Sequence, residues 1–304
     1  MIRTLTHKTK TLSATVVSGD VADMAPLATP QALTPAHNAR QAERLLTNCP
    51  DGNRDKWGGL RRWQDAADLL LGAGWPEGAE RARREVPTLG LANLAPEATT
   101  VRRRRAFREE GDELRVDAAL AGNWDRAFEA RVKRATRTPA VLSIGCAFGG
   151  NITTTHAEIF WCGVQMAAIA DLLEGAGWRV ELRAVKLNIW PAGGRECQVM
   201  QDWRVKQADQ PLRWDTTLAL LGHAGVYRTF GWWGNTLAAD VVPDGGGHVQ
   251  TGEAFTRRVK VLADAGVTAP LSLLLPPAYS RDECIRNLRT ALAAVRDGDA
   301  SAAA

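Results

Sequence analysis

The most regular pattern of apolar and polar positions lies between residues 140 and 190. Residues 140–148 are almost all apolar, which predicts a central parallel strand that is covered on both faces. A Gly-rich loop follows, and apolar residues at helical spacing then predict a helix that ends near Gly175. From Trp178 onward apolar and polar residues alternate, which predicts a second strand, and a slip of the alternation at Val185 predicts a bulge.

The C-terminal part continues the alternation of strands and helices. A hairpin at residues 191–195 leads to a returning strand, which we expect to be antiparallel and at the edge of the sheet. A helix is predicted from Thr216 to about Phe230, interrupted by Gly231-Trp-Trp-Gly234. A short helix around residues 255–262, a buried strand and a last helix capped by Ser280 complete the pattern.

This pattern divides the chain into four regions. Residues 1–36 contain three prolines and no sustained periodicity, so we expect an irregular arm. Residues 37–138 are predicted to be a smaller, mainly helical region rich in Trp and Arg. Residues 139–296 predict an α/β fold with a doubly wound, Rossmann-like sheet, and residues 297–304 a flexible tail.

Composition narrows the class of protein. The chain has 304 residues, of which 45% are apolar and 24% charged, as is typical of a globular protein. No apolar segment approaches the roughly 18 residues that a membrane-spanning helix needs. We therefore expect a cytoplasmic protein without a membrane partner. The five cysteines are scattered, so we expect reduced thiols, no zinc site and no other cofactor.

The charge is concentrated in one segment. Residues 102–137 hold eleven Lys/Arg and seven Asp/Glu, an excess as large as the net charge of +4 of the whole chain. The basic run is Arg102, Arg103, Arg104, Arg105 and Arg108. It could hold the phosphates of nucleic acid, but the acidic run at residues 109–113 would oppose that role. A solvated or partner-facing charge run is the preferred interpretation.

The order of elements over residues 140–296 resembles the von Willebrand factor A family. The resemblance implies a doubly wound sheet with one antiparallel edge strand. Members usually carry Asp-x-Ser-x-Ser after the first strand, where a carboxylate and two hydroxyls bind a divalent cation. This chain has Gly145-Cys-Ala-Phe-Gly149 there, and Thr216 or Thr217 would supply only one hydroxyl. The resemblance therefore implies a degenerate domain without a metal.

The N-terminal half supports a second resemblance. Trp57-Gly-Gly, Gly-Trp-Pro-Glu-Gly78 and the Arg-rich run are similar to segments of uncharacterised phage and mobile-element proteins. This resemblance implies a protein that acts in the cytoplasm of a bacterial host, and it assigns no chemical activity.

Two places in the α/β region are candidate ligand or partner sites. The loop containing Gly145, Gly149, Gly150 and Asn151 stands between the first strand and a helix N-terminus, where doubly wound sheets bind ligands. It matches no nucleotide-binding motif, so a tight turn is the preferred interpretation. Trp232 and Trp233 predict either an exposed aromatic contact or a core plug.

The histidines are weaker candidates for chemistry. His156 and Glu158 are two residues apart on a helix and do not face each other, so capping is preferred to acid–base work. His223 lies in an apolar helix and is interpreted as a packed histidine. No catalytic residue is assigned.

Three functional hypotheses remain. The first is a non-enzymatic protein-interaction module that uses the degenerate A-type domain and another protein as partner. The second is a nucleic-acid-binding accessory protein that uses Arg102–Arg108. The third is an enzyme that binds a nucleotide or other anion at Gly145–Asn151.

Overall fold

A mixed α/β sheet forms the centre of the molecule. The computed structural model describes residues 1–8, 12–27, 58–60, 63–98, 100–108, 113–136, 141–150, 153–192, 194–237, 248–249 and 252–298. In spatial order, the strands of the main sheet are β1 (Arg3–Lys8), β2 (Leu12–Asp20), β8 (Arg195–Lys206), β7 (Arg179–Ala192), β6 (Val141–Ala147) and β10 (Leu273–Leu275). A two-residue strand, β9 (His248–Val249), also pairs with β7. The predicted α/β class is confirmed.

Helices cover both faces of this sheet. They are α1 (Trp63–Leu71), α2 (Pro76–Thr88), α4 (His156–Gly175), α5 (Trp214–Gly222), α6 (Ala224–Thr236), α7 (Gly252–Asp264) and α8 (Arg281–Arg296). The short helix α3 (Val116–Leu120) lies instead between two strands of a second sheet. One face packs against a large core that includes buried residues of α4, α5, α6 and α8. The other face packs against α7 through Phe255, Val259 and Leu262. The sheet is therefore buried on both sides, as its apolar strands predict.

The antiparallel hairpin strand does not lie at the sheet edge, and this corrects the prediction. β7 and β8 are antiparallel, but β2 pairs with β8 in parallel on its other side, and β1 continues the sheet beyond β2. The arm predicted over residues 1–36 is thus partly a hairpin. In β2, Ala14 and Val16 face one core and Val17 faces the other, a short alternation of small residues that is stabilised by pairing with β8.

The region between β2 and β6 contains a second sheet in addition to the helices α1, α2 and α3. Its strands are β3 (Thr100–Arg108), β4 (Glu113–Leu114) and β5 (Phe128–Thr136), in the order β3-β5-β4. The spacing of Trp124, Phe128 and Val132 suggests a helix, but residues four apart also share one face of a strand. The four-residue spacing alone could not separate the two structures.

Several local predictions differ in detail. The helix predicted from Thr216 to about Phe230 is two helices, α5 and α6. They are separated at His223, whose backbone is extended. Residues 231–234 lie inside α6 and do not interrupt it. The irregularity of β7 lies between Leu182 and Arg183 instead of at Val185. The part of the predicted tail from residue 299 onward lies outside the described residues.

Two further kinds of feature are absent from the described part of the chain. None of its helices is long and apolar enough to cross a membrane. No group of three or more His, Cys, Asp or Glu side chains is placed to hold a metal ion there. Four cysteines of that part are free thiols: Cys146, Cys162, Cys197 and Cys284.

Candidate functional site

Two tyrosine hydroxyls hold the Gly-rich loop that follows β6. Gly150 N donates a hydrogen bond to Tyr227 Oη at 2.7 Å, and Tyr227 Oη donates in turn to Gly150 O. Tyr279 Oη donates to Gly149 O at 2.7 Å. The φ of Gly149 is +133°, a conformation that favours glycine. These contacts favour the tight-turn interpretation over a loop whose donors await a ligand.

The other predicted residues of this site do not join the loop. Gly145 lies within β6, where an added Cβ would stand 2.5 Å from Leu271 Cδ1, so its role is close packing. Thr216 is in the first turn of α5, which follows β8. Its Oγ1 makes no hydrogen bond with a described residue of the loop. Asn151 lies outside the described residues.

The N-terminus of α4 is closed by its own side chains. Glu158 N donates to Thr155 Oγ1 at 3.3 Å, and Thr155 N donates to Glu158 Oε2 at 2.6 Å, which is a capping box. The hydrogen bonds from Thr155 hold the pKa of Glu158 below its usual range. A carboxylate thus already occupies the position where an external anion would bind, and the capping interpretation of Glu158 is confirmed.

His156 and His223 meet in an aromatic cluster. Their ring centroids are 4.7 Å apart, and both rings pack against Trp75 at 5.2 and 4.9 Å. His156 Nδ1 accepts a hydrogen bond from Ala224 N at 3.3 Å. Burial and the neighbouring His156 lower the pKa of His223 to about 3, and burial also lowers the pKa of His156. Both imidazoles are therefore neutral at pH 7, and His223 is a packed histidine as predicted.

Trp233 is part of the core. It is fully buried and stacks on Trp203, with ring centroids 6.3 Å apart. Phe230 meets it edge to face at 6.4 Å. The core-plug interpretation is therefore confirmed for Trp233. The backbone of Trp232 belongs to α6, and its side chain lies outside the described part of the structure.

A buried polar cluster lies between the sheet and α6. Lys186 of β7 pairs directly with Gln201 of β8. Gln201 Nε2 donates to Gly231 O and to Asn235 Oδ1, at 2.5 and 2.7 Å. Lys186 Nζ lies 5.5 Å from the centroid of the Tyr227 ring. We call these four side chains the Lys186 cluster: Lys186, Gln201, Tyr227 and Asn235.

The glycines of α6 make room for this cluster. A Cβ at Gly231 would stand 2.7 Å from Lys186 Nζ, and one at Gly234 would stand 2.1 Å from Gln201 Oε1. The motif Gly231-Trp-Trp-Gly234 therefore allows the helix to approach the polar side chains closely. Sequence analysis missed Lys186, although a lysine in the apolar run at residues 185–190 was the signal that pointed to it.

The basic run forms one strand of an antiparallel ribbon. β3 pairs with β5 along its whole length, and we call this pair the basic ribbon. Its directly opposite residues include Arg102 with Arg134, Arg103 with Lys133, and Arg105 with Arg131. The two strands hold eight basic residues and one acidic residue, Glu129. Most of the opposing acidic run, residues 109–112, lies outside the described residues.

Apolar side chains are exposed beside the ribbon. Among the described residues of the small sheet and its connections, Leu114, Val116, Leu120 and Trp124 are large hydrophobic residues with more than half of their surface exposed. Leu120 is the extreme case at 83%. Val116 and Leu120 are four residues apart in α3 and share one face of that helix. Sequence analysis did not single out these residues.

Comparison with protein families gives a match of unknown function. The family model described as "Domain of unknown function (DUF7192)" matches residues 27–253, which is more than half of the chain. The match includes the basic ribbon, β6, β7, β8 and the Lys186 cluster, and it leaves β1, β2, β10 and α8 outside. No curated protein and no solved structure matches the chain.

Proposed function

We propose that this chain, which belongs to the DUF7192 family of domains of unknown function, binds nucleic acid through the basic ribbon. The observation that carries the proposal is the register of β3 with β5, which sets basic residues directly opposite one another at three positions. Like charges at directly opposite positions destabilise an antiparallel pair. A polyanion lying along the ribbon would remove this repulsion and release its own counterions.

The distribution of charge supports the same function. The ribbon strands carry a net charge of +7 from eight basic residues and one acidic residue. The whole chain carries only +4, so the rest of the molecule is net negative. A polyanion would therefore be attracted to the ribbon and repelled by the remainder, which orients it on the protein.

The ribbon begins next to a firm attachment to the main domain. Ala98 N donates to Ala176 O at 3.1 Å, and Trp178 Nε1 donates to Pro96 O at 2.7 Å. These bonds fix the chain two residues before β3 begins at Thr100. The main domain thus supplies a scaffold from which the ribbon is presented.

Salt-dependent binding of labelled oligonucleotides tests this function. We expect fluorescence anisotropy to show binding of single-stranded and duplex DNA that weakens steeply between 50 and 200 mM salt, as phosphate contacts require. The double variant Arg103→Gln/Arg105→Gln should reduce the slope of log K against log [salt] by roughly 0.7–0.9 for each phosphate that the ribbon no longer neutralises. The matched control is Arg286→Gln/Arg289→Gln, which removes two exposed charges from α8. An equal loss of affinity in both double variants would contradict a specific role of the ribbon.

A second candidate function is contact with another protein. The four exposed apolar residues beside the ribbon favour it, because protein interfaces concentrate such side chains at their centre. We expect the tagged chain to retain a stoichiometric protein from its host lysate after nuclease treatment, and Leu120→Ser/Trp124→Ser to lose it. Retention of nothing after nuclease treatment would leave nucleic acid as the only supported partner.

We further propose that the main domain is a metal-free relative of the von Willebrand factor A family. The succession of β6, α4 and the β7–β8 hairpin supports this, and Cys146 and Ala147 stand near the place where that family carries its acidic ligand. Calorimetric titration with Mg²⁺ should show no heat of binding; saturable binding would overturn the metal-free assignment. Origin in a phage or mobile element stays a prediction from sequence resemblance.

A further inference from the structure

The register of β3 with β5 shows which residues share a face of the basic ribbon. In an antiparallel pair, directly opposite residues lie on the same face, and the faces alternate along each strand. One face, which we call the first face, therefore holds four basic residues: Arg103, Arg105, Arg131 and Lys133. The second face holds the other four: Arg102, Arg104, Arg108 and Arg134. The basic residues of the ribbon are thus divided equally between its two faces.

Neither face of the ribbon has the apolar pattern of a strand that packs on a core. A strand with one buried face keeps its apolar residues on that face. Here they are divided: the first face holds Val101, Phe107 and Ala135, and the second holds Ala106, Phe128, Ala130 and Val132. The described elements that β3 and β5 contact most are each other, β4 and the short turn Trp124–Arg126. Both faces are therefore suited to an anionic ligand.

Basic residues on both faces distinguish between shapes of ligand. A single strand of nucleic acid that lies along one face of a ribbon leaves the other face without phosphates. The major groove of B-DNA is about 12 Å wide and about 8.5 Å deep, and phosphates line both of its sides. A ribbon is about 10 Å thick, which is the spacing of packed sheets, so its outer face lies near the height of these phosphates. A groove therefore uses the cations of both faces.

The dimensions of the ribbon fit this groove. The major groove admits a two-stranded ribbon, whose strands are about 4.8 Å apart. Each strand has nine residues, which at about 3.4 Å per residue span about 30 Å. This length is close to the roughly 34 Å of one helical turn of DNA. The ribbon is thus long enough to follow the groove for most of a turn.

The exposed Trp124 offers a different use of the small sheet, which is base stacking on a single strand. The charge around it opposes that use. Residues 113–129 form this end of the small sheet and hold four acidic and two basic residues. Two of the acidic residues, Glu113 and Glu129, lie directly opposite each other. A phosphate backbone is therefore better served along the two strands than beside Trp124.

We propose that the basic ribbon binds duplex DNA by lying in its major groove, with one face at the base edges and the other at the flanking phosphates. The proposal rests on the function proposed above and adds the form of the nucleic acid and the groove. At the base edges, an arginine can donate two hydrogen bonds to O6 and N7 of a guanine. Duplex RNA is not a ligand of this kind, because its major groove is too deep and narrow for side chains to read.

The first test uses the unaltered full chain. A labelled DNA duplex of about two helical turns should bind at least about tenfold more tightly than either of its single strands, and more tightly than duplex RNA of the same sequence. Dimethyl sulfate methylates guanine N7 in the major groove and adenine N3 in the minor groove, so bound protein should protect the guanines and not the adenines. Duplex binding without guanine protection would overturn the proposal and leave the proposed function standing. Absence of binding to every nucleic acid would overturn both.

The second test compares the two faces with matched variants. Arg103→Gln/Lys133→Gln removes two directly opposite cations from the first face, and Arg102→Gln/Arg134→Gln removes two from the second. Both remove a repulsion between strands, so neither change destabilises the ribbon. Each should weaken duplex binding by about tenfold or more and lower the slope of log K against log [salt] by roughly 1–2. A loss in one variant alone would show that the ligand lies on a single face, which contradicts binding in a groove. A loss in neither would remove the ribbon from the binding site.

Discussion

In the main sheet charged residues pair with opposite charges, whereas in the small sheet like charges lie opposite each other. In the main sheet, Arg183 donates two hydrogen bonds to Asp202, at 2.8 and 2.7 Å. In the basic ribbon, Arg103 faces Lys133 in register and Arg105 faces Arg131. Charges buried inside a fold must be paired because desolvation is expensive. Like charges that a strand register sets directly opposite each other repel instead.

The two regions also differ in the burial of their apolar side chains. The core of the main domain holds fully buried Phe160, Trp203 and Leu288, while the small sheet exposes Leu120 and Trp124. The contact with another protein that we propose rests on these exposed apolar side chains. Lys186 departs from this pattern inside the main domain, since it is buried and no described carboxylate pairs with it.

The largest expected effect comes from breaking the paired charge. Asp202→Ala would leave Arg183, whose side chain is 12% exposed, with only Glu181 at 3.2 Å as its carboxylate, and Thr268 Oγ1 would lose its acceptor. We expect the free energy of unfolding to fall by about 3 kcal/mol in urea titrations. Asp297→Ala, which removes an exposed pair with Arg296, is the control and should change it by less than about 0.5 kcal/mol. Similar losses of unfolding free energy in Asp202→Ala and Asp297→Ala would contradict the expected difference between a buried and an exposed ion pair.

A second prediction compares the two buried lysines by their pH dependence. The pKa of Lys186 is about 7 in the folded chain against an ordinary 10.5, so between these values the unfolded chain binds a proton that the folded chain does not. Stability should therefore rise with pH through this window, by up to about 1.4 kcal/mol per pH unit. Lys186→Met should flatten this rise and stabilise the protein at pH 7. Lys206→Met should destabilise it, because Glu174 loses its partner.

If Lys186→Met left the slope between pH 7 and pH 10 unchanged, Lys186 would not be the group that titrates. Equal destabilisation by both methionine variants would show that the two lysines are held in the same way.

A third prediction concerns the tight packing of helices in the main domain. A Cβ at Gly163 of α4 would stand 2.8 Å from Gly222 Cα and 2.9 Å from Gly222 N, which are backbone atoms that cannot move aside. Gly163→Ala should cost about 1–3 kcal/mol of unfolding free energy. Gly175→Ala at the end of the same helix meets nothing within 4 Å and should stabilise by up to about 1 kcal/mol. Thermal unfolding of both variants measures the difference, and equal melting temperatures would contradict it.

The main domain could be predicted from sequence because its elements carry strong local signals. The apolar run of β6, the capping box at Thr155 and the N-cap at Ser280 each report one local preference that the tertiary structure also satisfies. The break at His223 could not be predicted, because it depends on packing against Trp75, a residue distant in sequence.

The small sheet and the candidate sites could not be predicted without knowing which strands pair and which residues are neighbours in space. A basic strand such as β3 has no apolar alternation, and only its register with β5 reveals it as a strand opposite like charges. β2 is stabilised as a strand by parallel pairing with β8. Nothing in the sequence of β2 indicates this pairing. The sequence shows Lys186 within an apolar run, but only its neighbours in space show that no described carboxylate pairs with it.

The smallest expected effect is a gain in the stability of the basic ribbon when one of two opposing like charges is removed. Arg103→Gln removes one of two cations that lie directly opposite each other, so we expect β3 and β5 to become more stable, by up to about 1 kcal/mol at low salt. Amide hydrogen exchange should show stronger protection across both strands. The gain should shrink at 1 M salt, where charges are screened within about 3 Å. Arg289→Gln on α8 should leave these amides unchanged, whereas weaker protection in Arg103→Gln would mean that the ribbon arginines already stabilise it and need no polyanion.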